Sequence, residues 1–185
     1  RGALLSVRQA PGLGDALSSF STPQLFGLDG STALAVIPLG PSPGTLRLQR
    51  IDADGAPVGN ANVITVPTDN INLPMAWDGQ ALWVAWLTSG SQFGDTGKLA
   101  LQPFDPDGQP LAPVQILDTP TVSGQIGSLG MSAAAGRLLV SWARTVTGTA
   151  DYRYAILRGA SSTAEVRTLG TVQRNASPQP ALIPV

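Results

Sequence analysis

Neither cysteine nor histidine occurs anywhere in the 185 residues. Without Cys there is no disulfide, no thiolate nucleophile and no thiolate metal site, and without His the commonest general base and the commonest zinc ligand are missing. Cysteine-free chains occur in every compartment, so the redox environment stays open. Charge is scarce as well: only 12% of residues are charged, about half the usual share. With 11 basic and 12 acidic side chains the net charge is -1, which gives no general attraction to phosphate backbones or anionic lipid. Nucleic acid and membrane surfaces are therefore poor candidate partners. Lys98 and Glu165 are the single Lys and the single Glu. That Arg and Asp bias, with abundant Ala, Gly and Pro, is what a GC-rich genome produces and names no ligand. The longest apolar runs, Ala33 to Ile37 and Ala81 to Leu87, fall far short of the roughly 20 residues that cross a bilayer as a helix. The opening residues lack both a starting Met and the hydrophobic stretch of a signal peptide. That is the expectation for a processed or excised chain whose targeting segment lies upstream.

What is present is a repeat. Hydrophobic residues make up 43% of the chain, enough for the core of one domain, and they recur at a spacing of about fifty residues. Leu46-Arg47-Leu48-Gln49 and Asp52-Ala53-Asp54-Gly55 are matched by Leu99-Ala100-Leu101-Gln102 and Asp105-Pro106-Asp107-Gly108, with Tyr152-Arg153-Tyr154 as a weaker third copy. Upstream, Asp29-Gly30 with Ala33, Ala35 and Ile37 matches Asp78-Gly79 with Leu82, Val84 and Trp86, and then Leu138, Val140 and Trp142. Each unit reads as four short strands. In the second unit these are Leu73 to Trp77, Ala81 to Leu87, Lys98 to Phe104 and Leu111 to Leu117. Strand three alternates, so Leu46, Leu48, Leu99, Leu101, Tyr152 and Tyr154 are expected in the core. Strand two is apolar on both faces, with Leu34, Trp83 and Leu139 on the second. A strand buried on both sides is expected where sheets stack against sheets. No segment has a capped helical period, so the chain is expected to be all-β.

The spacing divides the chain into a closing strand and linker at 1–20, units at 21–69, 70–125 and 126–175, and an opening strand at 176–185. Trp-Asp-Gly-x-x-Leu-x-Val-x-Trp followed by Asp-x-Asp-Gly-x-Pro-Leu resembles the degenerate β-propeller repeats of secreted and cell-surface bacterial proteins, distantly like kelch, WD and Asp-box repeats. The resemblance covers roughly Thr22 to Leu169. It implies a β-propeller-type fold of about three four-stranded blades plus a partial blade from the terminal strands, and leaves the ligand unspecified. Three blades do not readily close a ring, so a second chain or a further segment is expected to complete it. The family also implies an extracellular or cell-surface location, with the periplasm as an option.

The candidate chemistry is sparse. Asp52 with Asp54 and Asp105 with Asp107 have calcium-loop spacing, but two carboxylates per loop and no downstream Glu favour a solvated turn. The Asp residues recur turn by turn, which keeps any acid pair for glycoside cleavage apart, and serine catalysis would have Lys98 alone as its partner. No catalytic residue, metal or cofactor is assigned. Trp86 and Trp142 recur in register and read as core, while Trp77 and Trp83 have no Trp in the sister units, which leaves partial exposure of one of them as the lesser reading beside burial. Ligand contacts are expected on the face built by the loops joining strands two to three and four to one. The candidates there are Gln92, Phe93 and Asp95 in the loop Thr88 to Gly97, and Arg144 in the loop Arg144 to Asp151. Three readings remain open at this point: a non-catalytic scaffold binding protein or glycan, part of a glycan-acting propeller enzyme, and a lectin whose chains complete a ring.

Overall fold

The computed structural model describes residues 23–39, 44–68, 73–88, 97–120, 124–146 and 148–173. The readings of Ala3 to Arg8 as a fourth strand and of Ser177 to Val185 as a first strand lie outside these residues. Every regular element described is a strand, and none is a helix.

The strands form three four-stranded antiparallel sheets in simple sequence order. Sheet one holds β1 (Gln24–Gly27), β2 (Thr32–Pro38), β3 (Thr45–Asp52) and β4 (Pro57–Thr65). Sheet two holds β5 (Met75–Trp77), β6 (Leu82–Leu87), β7 (Leu99–Phe104) and β8 (Gln115–Asp118), and sheet three holds β9 (Gly124–Ala134), β10 (Arg137–Val146), β11 (Thr149–Arg158) and β12 (Glu165–Gln173). Consecutive strands joined by short turns pair most readily as antiparallel neighbours. The β3–β4 and β7–β8 turns bend at Gly55 and Gly108, whose φ angles of 80° and 81° suit glycine. In each turn the first Asp supplies the cap: Asp52 Oδ1 accepts from the amides of Asp54 and Ala56, and Asp105 Oδ1 from those of Asp107 and Gln109.

Several strand ends differ from the sequence expectation; β5 begins at Met75 and not at Leu73, and larger differences fall at β8 and at the β10–β11 connection. The fourth strand of sheet two begins at Gln115 and not at Leu111, because Pro110 and Pro113 cannot donate to the ladder and leave only a bridge from Phe104 to Pro110. Arg144 to Asp151 is not a loop: β10 and β11 run on to Val146 and from Thr149, with Arg144 paired directly opposite Asp151.

Sheet two lies between the other two and is apolar on both faces. Its Leu82, Val84, Trp86, Ala100 and Phe104 pack with Leu34, Val36, Leu46 and Leu48 of sheet one. Its Trp83, Ala85, Leu99 and Leu101 pack with Leu138, Val140, Trp142, Ala155 and Leu157 of sheet three. One rule describes both interfaces. Each sheet turns its Leu82-Val84-Trp86 side toward the preceding sheet, called the near face below, and its Leu34 or Trp83 side, the far face, toward the following one. Removing a side such as Leu82 or Trp86 from water contributes about 1.5–3 kcal/mol, so the strand-two rows dominate the cohesion of the stack. Turns stitch the same seams, as where the Gly136 amide donates to the Asp78 carbonyl across 3.0 Å.

The rule also explains a correction. Tyr152 and Tyr154 occupy the positions of Leu99 and Leu101, as their spacing indicates, but they are not core. Tyr152 is 45% exposed and Tyr154 is half-buried, because no sheet among the described residues covers the far face of sheet three. Trp86 and Trp142 are fully buried, as their recurrence indicates; Trp83 is fully buried too, and Trp77 is partly exposed, the lesser of the two readings for it.

Candidate functional site

Of the sequence-chosen residues, Gln92, Phe93 and Asp95 lie outside the described residues. Arg144 is described, and it sits in a charged cluster at the loop end of the seam between sheets two and three. Asp118, the last residue of β8, is buried. Its Oδ2 accepts from Trp142 Nε1 at 2.8 Å and from an Arg153 amino group at 3.3 Å, and its Oδ1 lies 3.4 Å from an Arg144 amino group. Arg153 also reaches Asp151 at 3.8 Å, and Asp151 accepts from the Thr171 hydroxyl at 2.6 Å.

The cluster thus holds two guanidiniums and two carboxylates. Their charges balance, and every carboxylate is already paired, so the group presents no spare charge to an ionic ligand. The Nε atoms of Arg144 and Arg153 are buried without a hydrogen-bond partner. What the arrangement does is clamp: an acid from sheet two holds three donors from sheet three. Sequence reasoning found Arg144 but missed Asp118, because the partners are 24 to 35 positions away and only the stacking of the sheets brings them together.

Asp29, Asp52, Asp78 and Asp105 are engaged in turns. Asp78, also buried, accepts from the amides of Gln80 and Ala81 with Oδ1 and from the Trp83 indole with Oδ2, each at 2.8 Å. Its counterpart Asp29 accepts from the Ser31 and Thr32 amides and both their hydroxyls. Those donors, the Ser31 amide first, hold the Asp29 carboxyl down at about 2. Among the described residues, no group of three or more Asp or Glu is placed to hold a metal ion. In the two Asp-x-Asp-Gly turns the first Asp accepts from backbone amides of its own hairpin.

A cavity of about 410 Å³ opens at the seam between sheets one and two, away from the loop face. It exists because β4 is bulged. Leu48 pairs with Asn62 and Arg50 with Val58, which leaves Gly59, Asn60 and Ala61 opposite Gln49 alone. Gln49 fills the bulge from inside, its amide donating toward the carbonyls of Val58 and Gly59. The wall across the seam is the Pro106–Gln109 turn, tied to sheet one by Arg50 and Asp107 at 3.0 Å. Asn60, Asn62 and Gln109 add amide groups over an apolar base at Val58 and Pro106. The corresponding seam between sheets two and three is bridged instead by Gln115, which donates to the Ser162 carbonyl and accepts from the Ala164 amide. Gly59 inside an otherwise regular strand was the sequence signal for this bulge.

No family model matches the chain, and no curated protein is similar to it. Among the described residues no helix is long and apolar enough to cross a membrane.

Proposed function

We propose that this chain is a run of β-propeller-type blades that serves as a non-catalytic recognition scaffold in a secreted or surface-displayed bacterial protein. The observation that carries this reading is the packing rule: consecutive four-stranded meanders stack near face on far face, with the same residue positions buried at both seams. Between sheets two and three the backbones approach most at the first strands, β5 against β9, which is the approach expected of blades fanning out from an inner edge. The described carboxylates support the non-catalytic part. Asp78 and Asp118 are committed to indole donors, and Asp29, Asp52 and Asp105 to turn amides, so none of these five is a free acid of the kind a glycosidase pair needs. A rigid stack of this kind leaves recognition to the loops that emerge from it.

The test combines two assays on the full chain: binding to glycan and peptide arrays, and incubation with a panel of chromogenic glycosides. Saturable binding without release of chromophore is the expected result. Turnover of a glycoside would replace this reading with a glycan-acting enzyme, and failure to bind either array would remove the recognition role.

A further inference from the structure

The far faces of the three sheets can be compared position by position, because strand pairing puts them in one frame. Ile37, Trp86 and Trp142 are equivalent, and they lie opposite Arg47, Ala100 and Arg153. Leu34, Trp83 and Leu139 are then equivalent on the far face, as are Leu46, Leu99 and Tyr152. The first two members of each set are completely buried, yet Leu139 is 44% exposed. Leu139 lies directly opposite Ile156, itself 39% exposed, while Tyr154 faces Ser141 and Tyr152 faces Ala143. The result is a largely apolar patch on two central strands, interrupted by Ser141 and bordered on β12 by the Glu165–Arg167 ion pair. A sheet face of this composition is normally covered, and its ladder carries register shifts at Ser141/Ala143 and Tyr152/Arg153 where that of sheet two carries one. Among the described residues no further sheet lies against it.

From this we infer that the far face of sheet three, centred on Leu139, Tyr152 and Ile156, is the docking surface for a further four-stranded sheet of the same repeat. The occupant presents a near face of the Leu82-Val84-Trp86 kind. The inference rests on the propeller-type reading for the identity of the occupant, and on continuity with the two interfaces already described for its chemistry.

A second copy of the chain is a poorer match. Both described seams join a near face to a far face, and the near face of sheet one is closed at its centre, with Ile37 and Ala35 buried, and open only on its outer strands at Leu25 and Val63, so a second copy offers no uncovered central row to match the one on sheet three. Area argues the same way. Four strands of about ten residues at about 4.8 Å spacing and 3.3 Å rise cover about 600 Å², so the pair of faces buries about 1,200 Å², the low end for a stable complex of separate molecules. A sheet in the same polypeptide is not subject to that limit.

The experiment appends a second copy of residues 119–173 after Val185 of the full chain. The added copy carries Tyr152→Phe and Tyr154→Phe, so that tetranitromethane nitration of the original Tyr152 can be followed by mass spectrometry. If the added sheet docks, nitration of Tyr152 slows by about tenfold or more relative to the unextended chain, as for a locally protected site. A control extension with Trp142→Asp in the added copy should restore the fast rate. Unchanged nitration overturns the proposal, including the case in which the added copy stays unstructured, since ordering against this face is what is proposed. A dimer by light scattering with Tyr152 already protected in the unextended chain also overturns it, in favour of a second copy as occupant. Array binding is read separately, so protection of Tyr152 without any array ligand would sink the recognition role and leave the docking surface standing.

Discussion

Trp142 of sheet three donates its indole N–H to the Asp118 carboxylate of sheet two across 2.8 Å, whereas Trp86, its counterpart one sheet earlier, buries an Nε1 that has no partner. The two tryptophans fill equivalent positions and are equally buried. They differ in the satisfaction of one polar atom, and a buried donor left unpaired costs more than a made bond contributes.

Replacing each tryptophan by Phe therefore separates packing from hydrogen bonding. Both changes remove similar volume, but Trp142→Phe also leaves Asp118 short of a donor, while Trp86→Phe removes an unsatisfied one. Chemical denaturation should show Trp142→Phe to be the more destabilising by about 1–2 kcal/mol. Equal losses would mean that the indole bond contributes nothing to the seam.

Asp118 itself should be sensitive. Truncation to Ala strands the Arg144 guanidinium and leaves Arg153 only the more distant Asp151, with the two Arg side chains 15% and 23% exposed, and the expected loss is about 3 kcal/mol. The ion pair Arg50–Asp107 is the contrast. Its side chains are 40% and 60% exposed, so Asp107→Ala should shift stability by less than about 1 kcal/mol and by still less in high salt. Denaturation midpoints at two salt concentrations decide both.

Gly55 and Gly108 provide a matched pair of turns. Both have φ near 80°, so Ala at either site carries the same left-handed strain of about 1–2 kcal/mol. At Gly108 a methyl group would also come within 2.9 Å of Ile64 Cγ2 in sheet one, while at Gly55 it meets nothing within 4 Å. Gly108→Ala should therefore cost more than Gly55→Ala in a denaturant titration. The difference reports how tightly the sheet-two turn is seated on sheet one.

Acid should act at the β1–β2 turn. The Asp29 carboxyl is held at about 2, below its ordinary 3.8, by hydrogen bonds from Ser31 and Thr32. Because the folded value is the lower one, its contribution is complete above the ordinary value and is lost as pH falls through about 2. An NMR titration of the side-chain carboxyl should place the midpoint there, and Asp29→Asn should remove that part of the acid dependence. A midpoint at the ordinary carboxylate value would mean that the turn does not hold the ionised form.

Much of the architecture was legible in the residues. The recurrence of Leu82, Val84 and Trp86 as Leu138, Val140 and Trp142, and the doubly apolar second strand, announced stacked sheets because alternation places each row on one face. Asp-x-Asp-Gly announced capped turns because Gly accepts positive φ and the first Asp bonds its own backbone. Strand ends were less legible where Pro110 and Pro113 shorten β8, and where β10 and β11 extend to either side of a tight turn at Gly148.

The sequence by itself determined the all-β class, the repeat, the rows that meet at each seam and the absence of Cys and His chemistry, since all of these follow from local periodicity and composition. Only the tertiary structure decided that Asp118 gathers Trp142, Arg144 and Arg153, that a bulge at Gly59 opens a cavity, and that Tyr152 stands exposed where Leu99 is buried. Each depends on which sheet lies next to which, and burial belongs to the neighbour as much as to the residue.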